Sequence, residues 1–218
     1  MNAEDIALFL RGHPQFFDQH PELLEKIHIP HPHGGRAIPL AERQTLALRE
    51  KVRLLEGKLS ELIQFGTEND AISEKVHRLS VALAAARDFP ALSQALYFHL
   101  REDFAVPHVA LRVWGKSVPV DFDEAGEVDE AQKRQATALG TPQCGPAAGN
   151  PFVPWFGEAA EHVRSVALVP LGQKGEVIPV FGLLALGSED AKRFFPEMGT
   201  LYLRRIGELC AAGVTARL

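Results

Sequence analysis

Hydrophobic residues follow three different spacings along the chain, and each spacing predicts a different kind of element. Short apolar pairs alternate with prolines over residues 1–39, and a three- and four-residue repeat runs through residues 40–89. Strand-like alternation, flanked by helical stretches, fills residues 90–218. A three- and four-residue repeat is typical of a helix with one apolar stripe, whereas strict alternation is typical of a strand. We therefore predict short N-terminal helices with a connector, one long helix, and an α+β domain.

A short repeat marks the first segment. The sequence HPQFFD at residues 13–18 returns as HPELLE at residues 20–25. Proline fits the first turn of a helix, because the backbone N–H groups of that turn have no partner within the helix and proline lacks this group. Each copy therefore predicts one or two helical turns that carry an apolar pair. Such short helices are marginal alone, so we expect the pairs to pack on a larger surface.

The second segment has no proline between residues 40 and 89 and predicts one long dimerisation helix. Its apolar steps of three and four residues are typical of a coiled coil. Asn69 takes an a position, where one buried asparagine fixes the register of a parallel pair. Two successive three-residue steps near Leu62 predict local overwinding. The predicted dimer seam is Leu48, Val52, Leu55, Leu59, Leu62, Phe65, Asn69, Ile72, Val76, Leu79 and Leu83. The alternative is a long amphipathic helix lying on its own domain.

The third segment predicts a helix, strands and a closing helix. A helix is expected over residues 91–104, strands over 108–114, 164–171 and 177–187, and a last helix over 196–214. Residues 118–122 could pair with the first strand as a hairpin, and residues 172–175 predict a glycine turn. We expect the last helix to bury Leu201, Leu203, Ile206 and Leu209. Residues 123–163 carry an acidic run and a Gly/Pro loop without a clear periodicity.

The charge balance argues against a nucleic-acid partner. The 218 residues include 23 basic and 28 acidic side chains, for a net charge of −5. Only residues 36–87 carry a net positive charge. Positive and negative side chains are interleaved in this segment, as on solvated helix faces. Binding to phosphates requires a one-sided cluster of Lys and Arg. No secretion signal or membrane span is recognisable, so we expect a cytoplasmic protein without membrane contact.

Histidines near the connector are candidate metal ligands. His28, His31 and His33 lie within six residues, and imidazoles at such spacing could hold zinc or nickel. Pro30 and Pro32 impose extended geometry, in which neighbouring side chains point apart. We therefore predict no metal site and interpret this stretch as a rigid connector.

The two cysteines, Cys144 and Cys210, cannot form a disulfide framework. Cys144 lies in a Gly/Pro loop, and one loop thiol cannot complete a two-thiol redox cycle within one chain. Cys210 is expected to be buried in the last helix. No phosphate-binding loop or nucleophile elbow is present, and no nucleophile, base and orienting group occur together. The sequence therefore predicts no enzyme and names no cofactor.

One face of the first strand predicts a ligand pocket. Alternation places Val109, Leu111 and Val113 on one face and His108, Ala110, Arg112 and Trp114 on the other. Aromatic rings with arginines suit an anionic or planar ligand. The candidate lining is His108, Arg112, Trp114, Phe122, Cys144, Phe152, Trp155, Phe156 and Arg164, with Cys144 near the lid. The alternative is a collapsed aromatic core without a ligand.

Two stretches carry a resemblance to known families. The sequence VALVPL at residues 166–171, a glycine turn and FGLLALGS at residues 181–188 are similar to the GAF fold, a sensor domain related to PAS. Over nearly its whole length the chain also resembles a bacterial family, domain of unknown function number 484. The matching positions are the Phe16-Phe17 pair, Ile29-Pro30-His31-Pro32, Gly34-Gly35, Leu40, Glu42-Arg43-Gln44, Glu68-Asn69, Gly187-Ser188, Asp190 and Gly199-Thr200.

The resemblance implies a fold rather than a reaction. It implies an α+β protein whose GAF-like antiparallel sheet is flanked by helices and preceded by short helices and one long coiled-coil helix. It supplies no catalytic residues. Two functional hypotheses follow: a non-enzymatic homodimeric sensor that binds a small molecule in the GAF-like pocket, or a ligand-free dimeric adaptor that holds another protein through its helices.

Overall fold

The computed structural model describes residues 2–26, 28–30, 37–115, 122–172 and 180–218, with the backbone alone for residues 24–26, 28–30 and 37–42. The chain divides into two compact units, Met1–Thr67 and Glu68–Leu218. The predicted hairpin strand over residues 118–122, except Phe122, and the predicted glycine turn, except Gly172, lie outside the described residues.

The N-terminal unit begins with three short helices, α1 (Ala3–Gly12), α2 (Phe16–Gln19) and α3 (Pro21–Lys26). The helical turns predicted from the two His-Pro copies are confirmed as α2 and α3. Asn2 and Asp5 form a reciprocal capping box at the start of α1, with hydrogen bonds of 2.8 and 2.9 Å. Strands β1 (His28–Pro30) and β2 (Ala37–Pro39) then pair antiparallel.

Aromatic rings join α1 to α2. The Phe9 and His13 rings stack with centroids 4.4 Å apart, and Phe16 meets Phe9 edge to face at 6.0 Å. Phe17 continues the cluster 5.5 Å from Phe16. These contacts half-bury the Phe16-Phe17 pair, whereas Leu8 of α1 stays 74% exposed.

Helix α4 covers Leu40–Ala85 and α5 covers Phe89–Glu102. The long helix therefore ends before the predicted residue 89, and the next helix begins before the predicted residue 91. The Asp88 carboxylate accepts a hydrogen bond of 2.8 Å from the Ala91 N–H and caps α5. Pro90 then fits in the first turn of α5, where its missing N–H has no consequence. The cap explains why α5 begins before this proline rather than after it.

Within the described residues of the C-terminal unit, four antiparallel strands form the sheet, in the order β3-β6-β5-β4. They are β3 (His108–Val113), β4 (Gln143–Pro146), β5 (Ser165–Leu171) and β6 (Gly182–Ser188). The predicted strands at 108–114 and 164–171 are confirmed as β3 and β5. Strand β4 and helix α6 (Glu130–Leu139) form within the segment that had no clear periodicity. Two 3-10 helices, Asp123–Ala125 and Val153–Glu161, complete that segment.

Two hydrophobic clusters cover the two faces of the sheet. Leu111, Leu184 and Leu186 pack under the second half of α4, α5 and the last helix, α7 (Leu201–Thr215). Ala110 and Ala185 face the opposite cluster, beneath α6 and the second 3-10 helix. The predicted α+β class, an antiparallel sheet flanked by helices and preceded by short helices and one long helix, is confirmed.

The second half of the predicted dimer seam lies in the core of its own chain. Leu79 is fully buried, and Val76 and Leu83 are 8% and 3% exposed, all within the cluster beneath the helices. Ile72 is half-buried against the same cluster. Because these side chains already pack against the domain, the seam is corrected here: the amphipathic helix lying on its own domain describes this half of α4.

Asn69 does not have the surroundings of a buried a position. Its side chain is exposed, and its backbone oxygen accepts a hydrogen bond of 3.0 Å from the Tyr202 hydroxyl. The Tyr202 oxygen in turn lies 3.2 Å from the Ser73 hydroxyl. These bonds fasten α4 to α7.

The closing helix approaches the sheet closely. A Cβ on Gly207 would lie 2.5 Å from Cγ1 of Val169, so a larger residue would force α7 away from β5. Ile206 and Cys210 are buried as predicted, but Leu201 is 46% exposed. Leu201 is the first residue of α7 and lies outside the buried stripe of Leu203, Ile206 and Cys210. The prediction that Leu201 is buried was therefore wrong.

The Arg217 side chain caps the C-terminal end of α4. Its guanidinium donates to the backbone oxygens of Leu83 and Ala86 at 2.9 and 2.5 Å, with a second bond to Ala86 at 3.1 Å. A further bond of 2.8 Å reaches the oxygen of Gly213 in α7. The last carbonyl groups of a helix lack partners within it, so this side chain satisfies groups that burial would otherwise leave unpaired.

Replacing this guanidinium should destabilise the fold. For Arg217→Gln we expect the free energy of unfolding in urea to fall by about 2 kcal/mol, because hydrogen bonds from a charged donor are lost at part-buried carbonyls. Arg204→Gln is the matched control on α7, since the Arg204 side chain is exposed. Equal unfolding midpoints for the two variants would contradict this role of Arg217.

Candidate functional site

Four of the predicted aromatic residues come together on the sheet face away from α4, α5 and α7. Trp114, Phe152, Trp155 and Phe156 belong to the cluster that contains Ala110. Phe152 and Trp155 meet edge to face with ring centroids 5.0 Å apart. The chain at the end of β3 and the short 3-10 helix Val153–Glu161 therefore bring these four rings to one surface.

Gly187 in β6 leaves space for the Phe156 ring. A Cβ on Gly187 would lie 3.0 Å from Cζ of Phe156, so the absence of a side chain lets the ring rest against the strand. Gly157 then takes a left-handed φ of 59° and breaks the 3-10 helix immediately after this contact.

Trp114 forms one wall of an open cavity of about 560 Å³. Its Nε1 donates a hydrogen bond of 2.8 Å to the oxygen of Val180, which fixes the indole at the end of β3. The other walls come from the chain after the first 3-10 helix and from the start of α6. The cavity is lined by Val113, Trp114, Gly115, Ala125, Gly126, Glu127, Val128, Asp129, Gln132 and Lys133.

Arg112 lies behind this cavity rather than in it. Its guanidinium carbon is 5.8 Å from the centre of the Trp155 ring, and Nη1 donates to the oxygen of Leu111 at 3.0 Å. A Cβ on Gly126, which lines the cavity, would lie 3.2 Å from Nε of Arg112. The guanidinium therefore stacks between the Trp155 ring and the loop at Gly126.

A buried acid supports the loop that carries Gly126. Glu124 is 6% exposed, and its carboxyl group hydrogen-bonds the Tyr97 hydroxyl of α5. Burial, and next the nearby charge of Glu124, raise the pKa of Tyr97 far above its usual range. Neither residue was predicted, because Glu124 stands in an acidic run that has the pattern of a solvated loop. Tyr97 and Glu124 thus fix the first 3-10 helix onto α5.

His108 and Arg164 lie outside the cavity. The His108 ring lies 6.3 Å from the Phe156 ring, with Nε2 3.5 Å from a carboxylate oxygen of Glu189. Arg164 is exposed and donates to the oxygen of Glu161 at 2.8 Å. Both side chains were predicted as pocket candidates, but neither is among the residues that border the cavity beside Trp114.

Phe122 and Cys144 lie on the wrong side of the sheet for the predicted pocket. Phe122 meets the Phe89 ring of α5 at 5.7 Å, and Cys144 packs against the cluster beneath the helices. The correction for Cys144 follows from strand β4, where it sits opposite Ala167 of the same cluster. Burial raises the pKa of the Cys144 thiol and raises that of Cys210 to about 12.

The charges around the cavity do not favour an anion. Glu127 and Asp129 border it together with Lys133. The Lys133 amine is 2.8 Å from a Glu130 carboxylate oxygen, and Asp129 caps α6 by accepting from the Gln132 N–H at 2.7 Å. The lining therefore suits a neutral or cationic planar molecule against the indole, rather than the anionic one that two arginines would have suited.

The predicted connector histidines are not part of this site. His31, His33 and the side chain of His28 lie outside the described residues. Within the described ranges, no three His, Cys, Asp or Glu side chains converge as a metal ion would require. Nor is any helix in those ranges long and apolar enough to cross a membrane.

The chain is similar to one family over almost its full length. Residues 1–215 match the model described as "Protein of unknown function, DUF484". The uncharacterized protein YigA of Salmonella typhimurium strain LT2 is 25% identical over 208 residues, covering 92% of this chain and 86% of that protein.

Solved structures similar to the chain include GAF domains. The GAF domain of nlh2 from A. aeolicus is 14% identical, covers 69% of this chain and 99% of its own, and has a TM-score of 0.49. A GAF domain from a phosphoenolpyruvate-protein phosphotransferase of Coxiella burnetii is 12% identical, with coverage of 66% and 93% and a TM-score of 0.49. The free methionine-R-sulfoxide reductase of Neisseria meningitidis is 18% identical, with coverage of 67% and 89% and a TM-score of 0.47.

Proposed function

The chain belongs to the family described as protein of unknown function DUF484, and on that premise we propose that it is a non-enzymatic, homodimeric regulatory protein. Its GAF-like domain binds a small planar molecule in the cavity beside Trp114. The observation that carries this proposal is the cavity of about 560 Å³, with the fixed indole as one wall and polar side chains around it. Concave sites with an aromatic wall and a few polar groups are typical of small-molecule binding.

Rigid positioning of the walls supports a binding site. Trp114 is held by its bond to Val180, and the opposite loop is held through Glu124 and Tyr97. Arg112 is stacked between Trp155 and Gly126. A ligand entering beside Trp114 therefore meets side chains that are already ordered, which lowers the entropic cost of binding.

The chemistry of the cysteines supports a function without catalysis. Nucleophilic attack requires a thiolate. Burial raises the pKa of the Cys144 thiol above its ordinary value. It raises the pKa of Cys210 to about 12, so both side chains are protonated at neutral pH. A thiol-based reaction is therefore not part of the proposal.

An exposed stripe on α4 supports the dimer. The first half of the predicted seam comprises Leu48, Val52, Leu55, Leu59, Leu62 and Phe65, whose exposed fractions are 62, 50, 54, 58, 66 and 57%. An apolar stripe of heptad spacing is unfavourable in water, and pairing with the same stripe of a second copy buries it. We therefore restrict the proposed seam to this half.

An adaptor function is the second candidate, and helix α1 favours it. Ile6, Leu8 and Phe9 are 46, 74 and 49% exposed on one short helix. Grouped apolar side chains on a surface are typical of a contact with another protein. In this hypothesis α1 would hold a partner, and the cavity beside Trp114 would have no ligand.

Ligand binding can be followed directly, because both tryptophans of the chain lie in the candidate cluster. With adenine as a planar, uncharged probe, we expect saturable quenching of tryptophan fluorescence. Val128→Phe fills space in the cavity and should weaken this binding at least about tenfold, since a displaced ring loses its contact with the indole.

Val81→Phe, at a 55% exposed position of α4, is the matched control and should bind like the unmodified chain. Native mass spectrometry of protein purified from its own cells, before and after denaturation, provides the complementary measurement. Absence of both saturable quenching and a releasable mass would contradict the ligand-binding proposal and favour the adaptor.

The dimer seam can be tested by placing charge within it. Leu55→Asp together with Leu59→Asp should convert the dimer to a monomer in sedimentation equilibrium, because two carboxylates per chain would be buried unpaired. Ser60→Asp adds the same charge beside the stripe and should leave the dimer intact. A monomeric unmodified chain, or a dimer that survives the double substitution, would contradict the proposed seam.

A further inference from the structure

A second cavity lies on the opposite side of the sheet, within the Glu68–Leu218 unit, and has a different chemistry. It encloses about 530 Å³ between α4, α5, α7 and the chain that precedes α7. Its lining reaches Leu100 of α5 and Leu186 of β6, both almost completely buried. Half-buried Ile72 and Met198 and the 46% exposed ring of Phe195 also border it. The cavity is therefore a mostly apolar groove that opens at the surface and has Leu100 and Leu186 beneath its floor.

Two cations, Lys75 and Arg193, border this groove, and no acidic side chain is among the described residues that line it. Within the described part of the chain, the Lys75 amine has no hydrogen bond or ion pair, and the side chain is half-buried. Arg193 donates from Nη2 to the oxygen of Phe104 at 2.6 Å, and its guanidinium carbon lies 5.5 Å from the Phe194 ring centre. One bond leaves further guanidinium donors for an anion.

We propose that this groove binds a free single-chain fatty acid. The alkyl chain lies along the apolar walls toward Leu186, and the carboxylate pairs with Lys75 and Arg193. An apolar channel with two cations and no acid complements a molecule that is apolar along its length and anionic at one end. This site is separate from the cavity beside Trp114, since it lies under the other face of the sheet, and it does not depend on the proposed function there.

The depth of the groove favours a slender ligand over a second protein chain. Its lining includes one residue of the sheet, Leu186, which lies beneath the level of the surrounding helices. A helix of a second copy is about 10 Å wide with its side chains and would rest on the rim. An alkyl chain is narrower and fits between the partly exposed side chains that line the groove, such as Ile72 and Met198.

Calorimetric titration of the full chain with dodecanoate, below its micelle concentration, tests the proposal. We expect binding of one molecule per chain, and decanoate should bind about fifteenfold more weakly, because each methylene contributes about fourfold. Lys75→Gln should weaken dodecanoate binding about tenfold or more through loss of a charge-assisted bond, and Arg193→Gln should act in the same direction. Dodecanol, which lacks the carboxylate, should bind the unmodified chain more weakly than dodecanoate does.

Lys192→Gln is the matched control, because this exposed lysine neighbours Arg193 but does not line the groove. It should bind dodecanoate like the unmodified chain. Ile72→Trp narrows the groove at a half-buried position and should abolish binding while thermal unfolding stays cooperative. No binding of dodecanoate, or equal binding by the Lys75→Gln and Lys192→Gln variants, would overturn the proposal. Loss of the dimer in Ile72→Trp would also overturn it, since the groove would then be covered by a second copy.

Discussion

Strand β6 imposes the constraint on which the C-terminal unit depends, because all seven of its residues are buried. Leu184 and Leu186 point to one side of the sheet, and Leu183 and Ala185 point to the other. An apolar strand buried on both sides needs a layer of other elements packed on each face of the sheet. Each such layer is called a cover below. One cover consists of the end of α4, α5 and α7, and the other consists of α6 and the second 3-10 helix. The position of each cavity follows from the cover that borders it.

The long helix carries two apolar stripes with different exposure. Leu55, Leu59 and Leu62 follow one phase of the three- and four-residue repeat, and Val76 and Leu79 follow another. The change occurs beside Phe65, close to the boundary between the compact units at Thr67 and Glu68. The change of phase thus coincides with the place where α4 changes from an exposed surface to a packed one.

Periodicity explains which parts could be predicted. Alternation and helical spacing identified β3, β5 and the core face of α7, because burial of one face imposes a regular pattern. Strand β4 and helix α6 escaped because the strand is a four-residue edge strand containing glycine and proline, and the helix has few apolar residues. Residue type and the alternation of β3 were the basis for grouping Trp114 with Trp155 in one candidate lining. The contact between Tyr97 and Glu124 could not be predicted, because a hydrogen bond between distant parts of a chain leaves no pattern in either of the two sequence segments.

The composition of each cover determines the chemistry of its cavity. Helices α5 and α7 present apolar stripes, so the space left between them and the sheet is mostly apolar. Among the described residues that line it, Lys75 and Arg193 carry the charge. The opposite cover contains the short polar helix α6 and the second 3-10 helix, and the Asp129 side chain that caps α6 borders the space beside Trp114. One sheet thereby separates an apolar cationic groove from a polar aromatic cavity. The two ligands that we propose for its two sides would therefore not compete for the same residues.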